Sequence, residues 1–266
     1  VALANDPAQP RWVVVPDYRG HGQSEYDRNP DNYGLGVDLA DLSAVLSGLT
    51  IPPAIFVGTS HGGVLAMMLA LSRPNAMAGV ILNDIGPVIE PQGLLQIKAY
   101  VGKLPTPRDF ADGAEILRWL SAKKFPKLVP QEWLALAQRT WREHGGGLVP
   151  DYDVGLARTL KVEWERSLPT LWDEFDALAH VPLLIIRGAN SQMLTSRTLD
   201  AMLARRGDIE VTVVPDQGHA PLLTGPKLIQ RIAAFIVSCN ASDLSGTTDQ
   251  PRLPELCSDQ LQEQLA

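Results

Sequence analysis

Residues 54–73 read AIFVGTSHGGVLAMMLALSR, closed by Pro74. The short apolar run AIFVG (54–58) predicts a buried strand. GGVLAMMLALSR (62–73) predicts a largely apolar helix that ends before the proline. GTSHGG (58–63) lies between them and fits the pattern G-x-S-x-G with Gly58, Ser60 and Gly62, Gly63 adding a further glycine. A strand that turns abruptly into a helix holds its central residue in strained backbone geometry, with the hydroxyl projecting above the sheet. Large side chains two residues to either side would clash there. The helix N-terminus behind Ser60 offers free N–H groups and the positive end of a dipole to a developing oxyanion. A plain strand–helix turn with a capping serine could carry the same five residues. The strand before and the helix after favour a nucleophile.

Outward from this stretch, strands and helices alternate. RWVVVPD (11–17) predicts a buried strand at 12–16, and RGHGQS (19–24) a turn. Leu35, Leu39, Leu42, Val45, Leu46 and Leu49 recur at three- and four-residue steps, which is one face of a helix. GVILND (79–84), PLLIIRG (182–188) and IEVTVVP (209–215) predict three more strands, and 226–238 a final helix. Such alternation means an α/β fold, a mostly parallel sheet flanked by helices. Residues 87–181 break the rhythm. They show helical spacing, Pro and Gly breaks and no convincing strand, and they hold Trp119, Trp133, Trp141, Trp164 and Trp172, five of the six tryptophans. The expected organisation is therefore 1–86 and 182–239 as two parts of one core, with 87–181 inserted between them as a helical unit. Residues 240–266 read as a polar, disordered tail with a frayed helix near 254–265.

VPDQGHAPLL (214–223) puts His219 just past the last predicted strand, where it can lean over the same sheet edge as Ser60. A surface histidine is the plainer alternative. His21, His61, His144 and His180 are weaker candidates for a base. The strand at 182–188 runs out into ANSQML (189–194), and no carboxylate occurs between Asp176 and Asp200. Asp84 ends the strand at 79–84 at the same edge. It is either the acid behind His219 or a turn cap before Gly86 and Pro87, with Asn83 assisting. Asp216, three residues from His219 in the same loop, is a weaker candidate for the acid and otherwise a turn-former.

DYRGHGQS (17–24), GTSHGG, LNDIGP (82–87), RGANS (187–191) and VPDQGHAPLL resemble, in order, blocks of the α/β-hydrolase superfamily, specifically its capped serine hydrolases. The resemblance covers roughly residues 11–238. It implies that Ser60 attacks an acyl carbonyl, that His219 takes its proton, and that the backbone N–H of His61 serves the oxyanion hole. Residues 87–181 would be the cap. Two departures accompany it. Members with RG-x-x-S after this strand usually place Asp next, and here Gln192 stands there. An amide can accept the imidazole N–H but brings no charge, and in a serine protease such an amide costs about four orders of magnitude in turnover. Some relatives carry their acid after the strand that ends here at Asp84. Such hydrolases also usually begin with three strands before the one expected at 12–16, and this sequence begins at Val1. Either its N-terminal strands are missing, or the strands at 12–16 and 54–58 pair directly. Missing strands would expose an unpaired edge and apolar surface, and would handicap stability and catalysis.

A net charge of −7 without a basic run argues against nucleic acid or an anionic membrane as partner. No apolar run approaches the roughly 18 residues of a membrane span, and residues 1–10 lack the basic head and apolar middle of a signal peptide. Cys239 and Cys257 fit no metal spacing and read as reduced thiols, so the expectation is a cytoplasmic protein without cofactor or metal. Homo-oligomerisation is compatible with the sequence. GGG (145–147) lacks the following helix and Lys of a phosphate loop. The tryptophans of the insertion either line an apolar pocket or build that segment's own core. The favoured function is a serine hydrolase of a small apolar carboxylic ester or related acyl substrate. Three alternatives stand beside it: a C–C bond hydrolase of vinylogous diketones, a catalytically weakened protein that binds a small hydrophobic ligand, and a truncated product without independent function.

Overall fold

The computed structural model of the chain describes residues 3–4, 11–158 and 170–243. In chain order the elements are α1 (Leu35–Gly48), β1 (Ala54–Thr59), α2 (His61–Ser72), β2 (Met77–Asn83), α3 (Pro91–Tyr100), α4 (Phe110–Ser121) and α5 (Pro130–Thr140). There follow β3 (Trp141–His144), β4 (Gly147–Pro150), α6 (Trp172–Asp176), β5 (Leu183–Gly188), α7 (Ser196–Arg205), β6 (Glu210–Val214) and α8 (Pro226–Asp243).

The main sheet has the order β1-β2-β5-β6, with every pairing parallel. The runs 80–82 of β2 and 183–186 of β5 are apolar without interruption because both faces are covered, and the strand period of two sorts their side chains. Val80 and Leu82 of β2, with Leu183 and Ile185 of β5, join a core that includes Val64, Met67 and Leu69 of α2 and Met202 of α7. Ile81, Leu184 and Ile186, one step along, face Leu228, Ile232 and Phe235 of α8. The register Thr59↔Asn83 and Asn83↔Ile186 brings the carboxyl ends of three strands level. Ser60, Asp84 and the loop after β5 therefore leave the sheet from one edge.

The expected strand at 12–16 does not form. Residues 11–18 have no ladder partner, and Trp12 and Val15 are 73% and 82% exposed. β-branched residues favour a strand only where a pleated surface receives them. Among the described residues β1 pairs with β2 alone, so its other edge is open and nothing joins it to 12–16.

The insertion contains a feature that its sequence did not announce. β3 and β4 form an antiparallel hairpin, with Trp141 opposite Pro150 and His144 opposite Gly147. Gly145 and Gly146 turn it with φ of +60° and +82°, the left-handed pair that a tight hairpin requires. GGG is thus a hairpin turn. Each strand is only four residues long, too short to show a clear period of two. Trp133 and Trp141 are buried with Ala114, Phe125, Ala137 and Leu148 in a cluster separate from the sheet's two cores. They build this segment's own interior, whereas Trp119 is exposed. Trp164 lies outside the described residues.

α8 also exceeds expectation, running past 238 to Asp243. The proposed tail beyond it, including Cys257 and the helix near 254–265, lies outside the described residues. Among those residues no helix is long and apolar enough to cross a membrane.

Val57, on the open-edged β1, is 43% exposed. A lysine there should disfavour edge-to-edge pairing of chains and change stability by no more than about 0.5 kcal/mol. Val57→Lys is expected to lower light scattering on mild heating while its denaturant midpoint stays near that of the parent. Unchanged scattering would show that this edge does not drive association.

Candidate active site

Ser60 sits between β1 and α2 at φ +50° and ψ −113°, the strained turn anticipated from the glycine pattern. The glycines around it are required by close approach. A Cβ on Gly58 would lie 2.5 Å from the Gly62 carbonyl oxygen, and one on Gly63 would lie 2.3 Å from Cγ2 of Ile85. The Ser60 N–H donates to the carbonyl of Asn83 at 3.1 Å, prolonging the β1–β2 ladder into the turn. The Ser60 carbonyl accepts from the N–H groups of Gly63 and Val64, starting α2. The His61 N–H stands at the head of that helix, where the first donors lack intrahelical acceptors.

His219 follows β6 in the loop 215–221. Its Nε2 lies 2.8 Å from Ser60 Oγ and its Nδ1 lies 2.9 Å from Asp84 Oδ2. With Nδ1 donating to the carboxylate, Nε2 is left as the acceptor for the serine hydroxyl proton. Asp84 is fully buried, at φ +59° immediately after β2. Its Oδ1 accepts the Gly188 N–H at 2.8 Å, and its Oδ2 accepts the Ser191 hydroxyl at 2.5 Å as well as His219. A buried charge is tolerated when donors replace its lost water, and here three donors do so. All three bonds lead to the β5 loop and His219. The turn at Gly86 and Pro87 receives none of them.

The remaining candidates stand elsewhere. Gln192 is exposed, and its side-chain oxygen accepts from the amide of Gln96 on α3. Asp216 pairs with Lys127 at 2.7 Å. The His61 ring is held by the buried carboxylate of Asp38 on α1, 2.8 Å from Nε2, with Tyr18 edge-on at 5.4 Å. That ring is therefore tied to α1, leaving the backbone of His61 as its contribution to the turn. His180 bonds the carbonyls of Ala177 and Pro74. Among the described residues no group of three or more His, Cys, Asp or Glu is placed to hold a metal ion. A cavity of about 570 Å³ bounded by Tyr18, Arg19, Asp38 and Asp41 includes none of Ser60, Asp84 and His219.

Sequence reading missed the roles of three supporting residues. Asn83 donates to the Thr59 hydroxyl at 3.0 Å and to the Pro221 carbonyl at 3.1 Å, which joins the end of β1 to the His219 loop. Gly188 passes so close to that loop that a Cβ on it would lie 2.5 Å from the Gln217 carbonyl oxygen. Ser191 was visible only as part of RGANS. Its contact with Asp84 spans 107 residues of chain and has no local signal.

Three comparisons bear on this arrangement. The profile described as "Alpha/beta hydrolase family" matches residues 2–230. The chain is 30% identical over 225 residues to a 3-hydroxybutyrate-oligomer hydrolase of Cupriavidus necator, covering 82% of this chain and 76% of that protein. It is 26% identical to a 2-(acetamidomethylene)succinate hydrolase of Mesorhizobium japonicum, covering 84% and 78%. Among solved structures, an α/β hydrolase from Novosphingobium aromaticivorans superposes with a TM-score of 0.77 at 34% identity, covering 84% of this chain and 78% of that one.

Asp84 and Gln192 can be told apart by the reactivity of Ser60 toward a fluorophosphonate probe. Asp84→Asn is expected to slow labelling by about three to four orders of magnitude. Gln192→Asp should leave the rate within about threefold, because its side chain faces α3 rather than His219. An unchanged rate in Asp84→Asn with a tenfold gain in Gln192→Asp would reverse the assignment.

Proposed function

The chain belongs to the α/β-hydrolase family and is a hydrolase, and from that premise we propose that it is a serine hydrolase of carboxylic esters. The observation that carries this reading is the continuous hydrogen-bonded series Ser60–His219–Asp84. His219 takes the hydroxyl proton as Ser60 Oγ attacks the ester carbonyl. The tetrahedral oxyanion is met by the His61 N–H at the head of α2. Collapse expels the alcohol, protonated by His219, and leaves an acyl-serine. A water molecule activated by the same imidazole then releases the acid. Asp84 holds the ring in the required tautomer and stabilises the imidazolium. Residues 87–181, with their own apolar cluster, serve in this reading as the cap over the substrate.

The weakened-binder alternative rested on the missing carboxylate at Gln192 and on the missing first strands, and the hydrogen bond from His219 to Asp84 weighs against the first of these. A C–C bond hydrolase uses the same three side chains, so substrate trials must include a vinylogous diketone.

One observation supports a narrower ester class. Lys124, between α4 and α5, packs its Cβ within 2.8 Å of where a Cβ on Gly218 would stand, one residue from His219. Its carbonyl accepts from Asn190 at 3.2 Å. Burial lowers its pKa, and among the described residues no carboxylate pairs with it. A lysine whose stem packs on the His219 loop suits an ester that also carries a free carboxylate. The Cupriavidus relative is named for oligomers of 3-hydroxybutyrate, which are molecules of that kind.

Ser60→Ala is expected to abolish fluorophosphonate labelling and ester turnover in a protein that still folds. Folded parent protein without labelling would overturn the serine-hydrolase reading. With paired substrates differing only in a terminal carboxylate or its methyl ester, Lys124→Met should raise KM about tenfold for the acid and leave the methyl ester unchanged. Equal effects on both would remove Lys124 from substrate recognition.

A further inference from the structure

Asp84 reaches His219 from a strand end, and a carboxylate on one methylene has a broad, roughly two-fold torsion about its last bond. Something must fix the plane of that carboxylate. The Gly188 N–H holds Oδ1 at 2.8 Å, and Oδ2 meets a second donor, the Ser191 hydroxyl, besides His219. We propose that Ser191 is a positioning residue for catalysis, fixing Asp84 Oδ2 against His219. The proposal rests on the serine-hydrolase reading above.

The direction of the Ser191 hydroxyl follows from its neighbours. A serine oxygen has one proton and two lone pairs. The backbone N–H groups of Met193 and Leu194 both point at Ser191 Oγ, at 3.1 and 3.3 Å. With both lone pairs engaged, the proton goes to the acceptor that remains, Asp84 Oδ2 at 2.5 Å. Ser191 is itself held in place. Its N–H donates to the Gly188 carbonyl at 3.0 Å, closing a turn, and Arg187 Nε donates to the Leu194 carbonyl at 2.8 Å. Ser191 is 7% exposed, and Met193 and Leu194 beside it in the chain are buried. The loop after β5 thus keeps a part in the acid's work with no carboxylate of its own. It supplies the hydroxyl and the amide that receive one from β2.

The test is a double-mutant cycle on the full chain. Ser191→Ala is expected to lower kcat about ten- to a hundredfold, the range for a lost hydrogen bond to a charged group, with KM changed less than twofold. In an Asp84→Asn background the same substitution should change kcat less than twofold, because the group it positions is already gone. An unchanged kcat in Ser191→Ala, or an equal loss in both backgrounds, would overturn the proposal. If Ser191→Ala does not fold, Ser191→Cys substitutes for it. The thiol fills the space but donates weakly, and a parental kcat would count against Ser191. A second readout is independent of turnover. The His219 Nδ1 proton, bonded to a carboxylate, should give a downfield NMR resonance in the parent that broadens or shifts in Ser191→Ala. A resonance unmoved by Ser191→Ala would refute the hold on Asp84. Failure of the serine-hydrolase reading would show differently, as parent protein unlabelled by fluorophosphonate.

Discussion

The arrangement at the sheet edge depends on one buried carboxylate. Asp84 has no exposure to water and accepts three hydrogen bonds, from Gly188, Ser191 and His219. Each donor comes from a part of the chain more than a hundred residues away. Satisfying this charge and closing the loops after β2, β5 and β6 are therefore the same event. A buried charge deprived of one partner is costly, so the constraint reaches beyond the site. The tight passage of Gly188 under the Gln217 carbonyl and the bridge from Asn83 to Pro221 hold the same three segments together from outside.

The sheet makes this convergence possible. Parallel strands send their carboxyl ends to one edge, where a doubly wound fold assembles its site. The alternating burial of β2 and β5, one set of side chains against α2 and the other against α8, fixes their register. A slip of one residue would exchange the two apolar faces and carry Asp84 away from His219. On the other side, among the described residues, β1 leaves an open edge, and the valines of 12–16 stand exposed beside no strand. The site is thus built on the well-packed half of the sheet, and Ser60 is carried by the strand at its less protected margin.

Much of this was legible in the sequence, because the signals concerned are local. GTSHGG between a strand and an apolar helix announces a strained turn that tolerates only small residues, and the turn is there at Ser60 with its positive φ. Apolar runs at 54–58, 79–84, 182–188 and 209–215 lie in strands of the expected kind, and strand–helix alternation gave the parallel sheet. The local signal misled at 12–16, where a β-branched run found no neighbour to pair with. It was too weak at 141–150, where two four-residue strands show little alternation. The supports of the site were hidden for a different reason. Asn83, Gly188 and Ser191 act through contacts far apart in the chain, and nothing in their neighbours specifies the partner.

By itself, then, the sequence determined the class of fold, the strained turn at Ser60 and the family resemblance, since each follows from residue types a few positions apart. Tertiary structure decided which carboxylate stands behind His219. Gln192 and Asp84 both follow strands that end at one edge, so spacing along the chain could not choose between them. The choice came from direction. Gln192 turns outward to Gln96, whereas Asp84 turns inward beneath His219, where three donors replace the water it lost.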